Sequence, residues 1–542
     1  MGAQRDSRAT EETFDVVVVG FGGAGACAAI EAADAGASVL VLDRFYGGGS
    51  TVHSGGVVYA GGGTAQQAQA GVEDTVEGMY TYLTREVGDA VSDATLRRFA
   101  EGSRGMIEWL EEQGLKFDGS LCPYKTSYPT NRHYLYYSGN ELATGYADVA
   151  PPAPRGHRAH AKNFTGATFY GRLRDSALRK GVTFRPLAEV RGLIVEDGAV
   201  VGVEYDTPAR ALGKWHRKYS DIAAKAHIWH APLGAKFSRA AIAAQRRRTV
   251  RHRVRATGGV VLTTGGHSHN RELVRRHAPA WQGLHGLGTA SETGAALTLA
   301  ADVRAEVSHL DKMSGWRFIS PPSAFMSGIV VDAAGVRFAN EQLYGATLSA
   351  PLVEQHQARG YLVVDAQTWR RARRQIRTQS AVFHAPQMAY LFTLGHRKAA
   401  TLRELAGKYG IDPDGLVATV QQYNADHAAG RPDAFGKKGE FHRPLGEGPY
   451  YAVDCSAGVS PLYPFAFITL GGLVVDEETG AVTRSGGGTV AGLYAAGRSA
   501  VGLCSNSYVS GLSLADAVFS GRRAGEHAAL AARTTRHHQE TA

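Results

Sequence analysis

Four consecutive valines, Val16 to Val19, stand between Asp15 and Gly20. A continuous apolar run of that length is the pattern of a parallel strand buried on both faces. Gly20-Phe21-Gly22-Gly23-Ala24-Gly25 follows, and Ala26 to Ala35 is rich in small residues and predicts a helix. A second apolar run, Ser38 to Leu42, ends at Asp43. The spacing predicts a strand, a glycine turn, a helix and a second strand, the opening unit of a doubly wound sheet. Gly181 to Asp206 alternates apolar and polar residues between turn glycines, which predicts a small sheet. Arg255 to Asn270 predicts a strand and then a glycine turn, and "GLYAAGR" closes another strand near the C-terminus. Ser513-Leu514-Ala515-Asp516 opens a last helix, and the tail "RTTRHHQETA" predicts a frayed end. No run of about 18 apolar residues occurs, so no transmembrane segment is expected. The N-terminal "MGAQRDSRATEET" is polar and predicts no signal peptide.

The first unit carries chemistry. Gly20 permits a tight turn, Gly22 lets a backbone approach a pyrophosphate, and Gly25 allows close helix–strand packing. The N-terminus of the helix then offers free N–H groups and the positive end of its dipole to phosphate. Gly23 and Ala24 complete the turn, and Asp43 ends the second strand where an acid binds a ribose hydroxyl. Strand, turn, helix and acid together predict a dinucleotide site.

Length and composition add limits. A chain of 542 residues is too long for one ordinary core and predicts two domains. The hydrophobic share of 44% fits a globular protein. The formal net charge is +9, and the basic residues concentrate between Lys214 and Arg255. A solvated surface insertion, roughly 207–253, accounts for them better than a nucleic-acid site, because no nucleic-acid module accompanies the run. A weak acidic partner or a membrane surface also suits such a run. Cys27, Cys122, Cys455 and Cys504 form no Cys-x-x-Cys pair, so neither a metal site nor a redox pair is expected, and a reducing cytoplasm is the default location.

A second glycine-rich stretch, "YGGGSTVHSGGVVYAGGGT", begins three residues after Asp43 and suggests a cofactor lying extended along the protein. This stretch resembles the FAD-binding region of the succinate dehydrogenase/fumarate reductase flavoproteins. "RATGGVVLTTGGHSHN", "GIVVDAAGVRFANE" and "GGLVVDEETGAVTRSGGGTVAGLYAAGRSAVG" resemble further segments of that superfamily and keep its order. The resemblance covers most of the chain except the basic insertion. It implies an α/β fold: a Rossmann-type FAD-binding domain, discontinuous in sequence (1–280 and 445–542), with an inserted α+β substrate or cap domain (281–444). It implies FAD contacts at Gly48, Gly49, Ser50, Thr51, Ser54, Gly55 and Gly56. Arg44, Thr264, Gly265, Gly266, Gly497, Arg498, Ser513 and Leu514 complete the implied set. His53 raises the question of a covalent histidyl–flavin bond. Alignment on Gly55-Gly56 puts the linking histidine of some relatives near Gly49 instead, so noncovalent FAD is expected.

"SNSYVSGLSLADAVFSGRRAG" begins just after the returning strand. Its "Y-x-SG-x-SL-x-D" pattern resembles the 3-ketosteroid dehydrogenases. The Δ4 type fits better than the Δ1 type, which has a "GPG"-like turn where Ser510-Gly511-Leu512 stands here. The resemblance implies desaturation of a C–C bond beside a ketone, with a Tyr508/Ser510 relay removing the α-proton and the β-hydride passing to flavin N5. A two-hydroxyl relay is needed because a lone tyrosine or serine is a poor base at neutral pH. The Δ4 group also implies a tyrosine before a Pro-Pro step. Ser320 stands there instead, and Tyr344 or Tyr463 are the other candidates for a third hydroxyl. Three alternatives stay open: a Δ1-dehydrogenase, a fumarate-reductase-like enzyme using His285 or Arg397, and a flavin-binding protein without turnover. No second complete GxGxxG is present, so a quinone or similar acceptor is expected rather than a nicotinamide. The substrate implied is a ketosteroid or similar apolar ketone.

Overall fold

The structure, a computed structural model, describes residues 12–229 and 231–541. Most of the polar N-terminal stretch lies outside them. Glu12–Val19 pairs in parallel with Val39–Asp43 on one side and Thr249–Leu262 on the other. Val16, Val17 and Val18 are fully buried, as a strand covered on both faces requires. Thr183–Pro186 extends the sheet beyond Val39–Asp43, and Thr489–Ala495 extends it beyond Thr249–Leu262, both in parallel. The two ends of the chain therefore share one sheet, with Ala481–Thr483 antiparallel at its edge.

The segment Gly181 to Asp206 forms strands as expected, and they join the main sheet. Its first strand joins the parallel sheet, and its hairpin, Glu189–Glu196 with Ala199–Pro208, pairs onto the long strand Thr249–Leu262. Alternation specifies a strand with one buried face but leaves its partner unspecified.

Two helices cover the glycine turn. Gly23–Asp34 packs along Leu512–Thr541 at backbone distance. A Cβ on Gly521 would stand 2.5 Å from the Ala24 carbonyl oxygen, and one on Gly525 2.2 Å from that of Ala28. Only glycine permits so close an approach. This packing brings the start of the last helix, Ser513 and Leu514, beside Gly23 and Ala24. The last helix runs to Thr541 rather than fraying over its final turns. Ala524, Ala528, Ala529 and Ala532 bury its inner face, and Arg533 and Thr535 donate to the carbonyls of Ala35 and Thr257.

The middle of the chain builds a four-stranded antiparallel sheet from Ile329–Val331, Tyr361–Val364, Tyr450–Asp454 and His396–Ala399. Tyr450–Asp454 pairs in this sheet although it follows residue 444. Two small sheets complete the frame around the cavities. One joins His285–Gly286, Ala466–Thr469 and Met313–Trp316; the other joins Val57–Tyr59, Gly156–Arg158 and Leu135–Tyr136.

The basic insertion is a helical hairpin, Lys214–Trp229 and Ala231–Arg246, rising between the strands Ala199–Pro208 and Thr249–Leu262. Its base is fastened to the body. The Tyr46 hydroxyl meets His216 Nδ1 at 2.9 Å, and Arg246 pairs with Glu189. Among the described residues no helix is long and apolar enough to cross a membrane.

Candidate active site

A cavity of about 570 Å³ runs from the strand ends near Asp43 to Tyr508. It is lined by Gly20, Gly22, Gly23, Ala24, Asp43, Arg44, Gly49, Ser50, Thr51, Ser54, Thr264, Gly265, Gly497, Arg498, Tyr508, Ser513 and Leu514. Most of the residues expected to hold a cofactor therefore converge on one wall, although they come from both ends of the sequence. Five do not line it: Gly55 and Gly56 face the neighbouring cavity described below, and three pack within the protein. Gly25 packs under the turn, Gly48 donates its N–H to the Phe21 carbonyl, and Gly266 donates to Glu292.

The glycines of the turn separate by function. A Cβ on Gly20 would meet the Thr263 carbonyl oxygen at 2.6 Å, and one on Gly25 the Gly20 carbonyl oxygen at 2.0 Å. Packing within the protein explains those two. A Cβ on Gly22 would meet nothing nearer than Thr51 Oγ1 at 3.8 Å. The space beside Gly22 belongs to the cavity, which is what a closely approaching pyrophosphate needs. Gly22, at the N-cap, has no side chain to cap the helix, and Thr51 Oγ1 accepts from the Gly23 N–H at 3.0 Å; the helix still turns the positive end of its dipole to the cavity, where an anion is favoured. Asp43 faces the cavity and also clamps the turn. Its carboxylate accepts from the backbone N–H groups of Phe21 (2.8 Å), Phe45 (2.7 Å) and Gly47 (3.3 Å). Burial raises its pKa while those bonds lower it.

Arg498 and Glu292 form a buried ion pair across the cavity wall, with Nη1 to Oε2 at 2.7 Å. Glu292 also accepts from Ser50 Oγ at 2.5 Å and from the Gly266 N–H at 3.1 Å. This glutamate ties three separate loops together. Burial alone would raise its pKa, but Arg498 holds it below the usual carboxylate range. Sequence reasoning missed Glu292, seven positions after His285. His285 itself sits in a short strand against Ala466 and lines neither cavity described here. Trp316, also missed, stands between this cavity and the next. Its indole Nε1 is buried and has no protein partner. An unpaired buried donor on a cavity wall fits a ligand acceptor. His53 lines the cavity as well. These residues fit FAD: an open glycine turn, a helix N-terminus facing the cavity, an acid after the second strand and a buried indole donor that the protein leaves unused.

A second cavity of about 160 Å³ abuts the first, with Ser54, Phe164, Leu287, Trp316, Tyr508 and Leu514 lining both. Gly55 and Gly56 line it too. Its walls are largely aromatic, from Tyr128, Phe164, Phe318, Phe383, Tyr463 and others. Tyr508 and Ser510 both face it. The loop that carries them is pinned from behind. Ser138 Oγ donates to the Ser510 carbonyl at 2.9 Å, and the Gly511 carbonyl accepts from Tyr59 N–H at 3.1 Å. The Ser510 hydroxyl lies 2.9 Å from the buried Tyr136 hydroxyl. Tyr136 is 374 positions away in sequence, and nothing local marks it out. Tyr344 lines the same cavity, its ring 6.3 Å from that of Tyr508. Burial pushes the Tyr344 phenol up, and the Ser510 hydroxyl pulls it back. Burial also pushes Tyr508 up to about 12.

The other candidates are placed elsewhere or otherwise engaged. Ser320 Oγ donates to the Lys125 carbonyl at 3.2 Å, away from this cavity. Tyr463 lines the cavity, but its hydroxyl donates to the Phe318 carbonyl at 3.3 Å. Arg397 is exposed on the outer strand His396–Ala399, where it caps carbonyls of Leu394 and His396.

Comparison with known proteins agrees with this geometry. Residues 15–513 match the model of the FAD binding domain family. The chain is 37% identical over 501 residues to the 3-oxo-5-alpha-steroid 4-dehydrogenase of Comamonas testosteroni, covering 90% of this chain and 92% of that one. It is 25% identical over 536 residues to a fumarate reductase (cytochrome) of Shewanella frigidimarina, covering 96% of this chain and 78% of that one. Among solved structures, the 3-ketosteroid-Δ4-(5α)-dehydrogenase of Rhodococcus jostii RHA1, in complex with 4-androstene-3,17-dione, superposes with a TM-score of 0.80 at 30% identity. That match covers 97% of this chain and 99% of that chain. FAD is accordingly the cofactor, and the chain belongs to the FAD-binding flavoprotein family that includes the 3-ketosteroid dehydrogenases and the fumarate reductases.

Proposed function

We propose that this protein is an FAD-dependent 3-ketosteroid Δ4-dehydrogenase, which desaturates the bond between the α and β carbons beside a ring ketone. The observation that carries the reading is the second cavity: aromatic walls lined also by Tyr508, Ser510 and Tyr344, with Tyr508 shared with the cofactor cavity. When bound, FAD supplies the hydride acceptor.

The protein's own groups then divide the proton chemistry. A phenol held near 12 stays protonated at neutral pH. Tyr508 therefore acts as a donor to the ketone oxygen, which acidifies the neighbouring α C–H. Ser510, held by its 2.9 Å bond to Tyr136, takes up the α-proton as its own hydroxyl proton passes to the Tyr508 oxygen that has protonated the ketone, so both hydroxyls end as they began and the proton resides on the enol oxygen. Tyr344, beside both, takes the place of the third hydroxyl that Ser320 cannot fill. The aromatic walls exclude water, which strengthens each of these bonds.

The fumarate-reductase alternative needs cations placed for a dicarboxylate. Arg317 is the arginine lining the second cavity, and its guanidinium already donates to the carbonyls of Tyr463 and Ser456. The Δ1 alternative is disfavoured by Ser510-Gly511-Leu512. A quinone or other separate acceptor fits the single GxGxxG. Four buried free thiols suit a reducing cytoplasm. The pairing of Tyr450–Asp454 supports a cap unit from 281 to about 454, with the cofactor-binding unit formed by the residues on either side.

The test is anaerobic bleaching of the bound flavin against 5α- and 5β-3-ketosteroids and dicarboxylates, with product identification. Rapid bleaching by a 3-ketosteroid with a 4-ene product is the expected result. A 1-ene product would move the enzyme to the Δ1 type, and reoxidation of reduced enzyme by fumarate alone would overturn the steroid reading.

A further inference from the structure

The helical hairpin 214–246 has no part in the chemistry above, yet its surface is not that of an ordinary solvated loop. Trp215, Tyr219 and Ile222 follow the i, i+4, i+7 spacing of one helix face. They are 70%, 48% and 38% exposed. The adjacent side of the helix, with His216 and Ala223, is buried. The Tyr219 ring stacks on Phe237 of the second helix at 6.0 Å, and Leu233, 44% exposed, lies one turn before Phe237. The two helices thus present one shared apolar face. Basic side chains border it: Lys214, Arg217, Lys218, Lys236 and Arg239 are all exposed, and the Lys218 ammonium lies over the Trp215 ring at 5.3 Å. From residue 207 to 253 the chain holds twelve lysines and arginines and a single acid, Asp221.

We propose that this hairpin is a docking surface for an anionic lipid bilayer, lying in the interface with its aromatic–aliphatic face toward the acyl chains. Aromatic and aliphatic residues on one face with lysine and arginine around them are the composition of an interfacial helix. Trp and Tyr favour the headgroup level, and long basic side chains reach the lipid phosphates from its edge. Charge complementarity selects this occupant. A second copy of the chain would bring an equally basic face against this one. A nucleic acid would satisfy the cations but offer nothing apolar to the exposed Ile222 side chain. The hairpin's base, held by Tyr46–His216 and Arg246–Glu189, fixes the face to the body, so the whole protein would dock rather than a loose arm.

The experiment is cosedimentation of the holoenzyme with phosphatidylcholine vesicles and with vesicles that also contain phosphatidylglycerol. Binding is expected only to the second kind, weakening as salt rises. Each basic residue near an anionic surface contributes about fivefold in affinity, so the double variant Lys214→Gln/Lys218→Gln should bind about 25-fold more weakly. Trp215→Ala should lose about tenfold, a loss that persists at high salt because it is apolar. Melting temperature and dye-linked turnover should be unchanged in both variants, whose side chains line neither cavity. Absence of binding to the anionic vesicles, or binding that the variants do not alter, would overturn the proposal. So would concentration-dependent dimerisation that Trp215→Ala abolishes, or tighter capture by a DNA oligonucleotide through the same residues at the same salt.

Discussion

At Tyr508 and Ser510, a catalytic reading and a structural one predict opposite measurements. Tyr508→Phe and Ser510→Ala each remove one oxygen and little volume, so both should retain FAD and the fold. Loss of an acid–base group commonly costs about 10²–10⁴-fold in rate, whereas a turn hydroxyl would cost about 1 kcal/mol of stability and spare turnover. Residues acting as one unit give non-additive losses, so the double variant should be barely slower than the poorer single one. Single-turnover flavin reduction beside a melting curve for each variant decides the matter. Tyr136→Phe should be slower as well, because it removes the partner of Ser510. Near-normal reduction by all of these variants would leave the hydroxyls with a structural role. Gly22 offers an independent check on the cofactor. Its missing Cβ leaves space in the cavity and not in the protein's own packing. Gly22→Val should therefore fold and purify colourless, and a normal flavin spectrum would refute the placement of the pyrophosphate.

The last helix, Leu512–Thr541, is the element on which both ends of the site depend. Its glycines set how near Ser513 and Leu514 come to the turn. Gly525→Val would drive a side chain against the Ala28 carbonyl and should destabilise the protein by about 1–3 kcal/mol. Flavin affinity should fall with it, since the helix and the turn share the cavity wall. Asp516, one turn into this helix, adds a pH signature. Burial raises its pKa to about 6. The folded state then holds this proton more tightly than the unfolded chain does. The stabilising effect is complete below the unfolded pKa near 4 and is lost as pH rises through about 6. Asp516→Asn abolishes that loss and keeps an acceptor for the Leu503 N–H. The melting temperature of the variant minus that of the wild type should therefore grow from pH 4 to 6 and level off above it. A difference that stays flat across that range would show that Asp516 titrates as an ordinary carboxyl.

For the whole molecule, the cofactor cavity is a seam between distant parts of the chain. Glu292 from one loop holds Ser50, Gly266 and Arg498 from three others. A ligand filling that seam stabilises every part that lines it. Free FAD at about 100 times its dissociation constant should stabilise the native state by about 2.7 kcal/mol. The melting temperature of the apoprotein should rise with added FAD, and that of Gly22→Val should not. Removing Arg498 alone, as in Arg498→Leu, leaves a buried unpaired carboxylate and should cost about 3–5 kcal/mol. Partial recovery in Arg498→Leu/Glu292→Gln would show that the cost came from the stranded charge.

The sequence by itself determined the cofactor unit. Its turn, helix and ribose acid are local, and a glycine or an acid at a fixed offset has one physical reason to be there. It also singled out Tyr508 and Ser510 as candidates, because both stand on one short loop ahead of a recognisable helix. The partners of that pair were decided only by the tertiary structure. Tyr136 meets Ser510 because the strand Leu135–Tyr136 pairs with Gly156–Arg158 behind the loop. Tyr344 reaches Tyr508 because the middle segment folds over both. Ser320 occupies the expected sequence position yet turns to the Lys125 carbonyl. The same holds for the insertion, where periodicity could suggest a helix but not which face the body would bury. Local spacing specifies which residues lie on one side of one element. Contacts hundreds of positions apart depend on how whole elements pack, and in this protein that packing brings Tyr136 to Ser510 and Tyr344 to Tyr508 in the cavity beside the cofactor cavity.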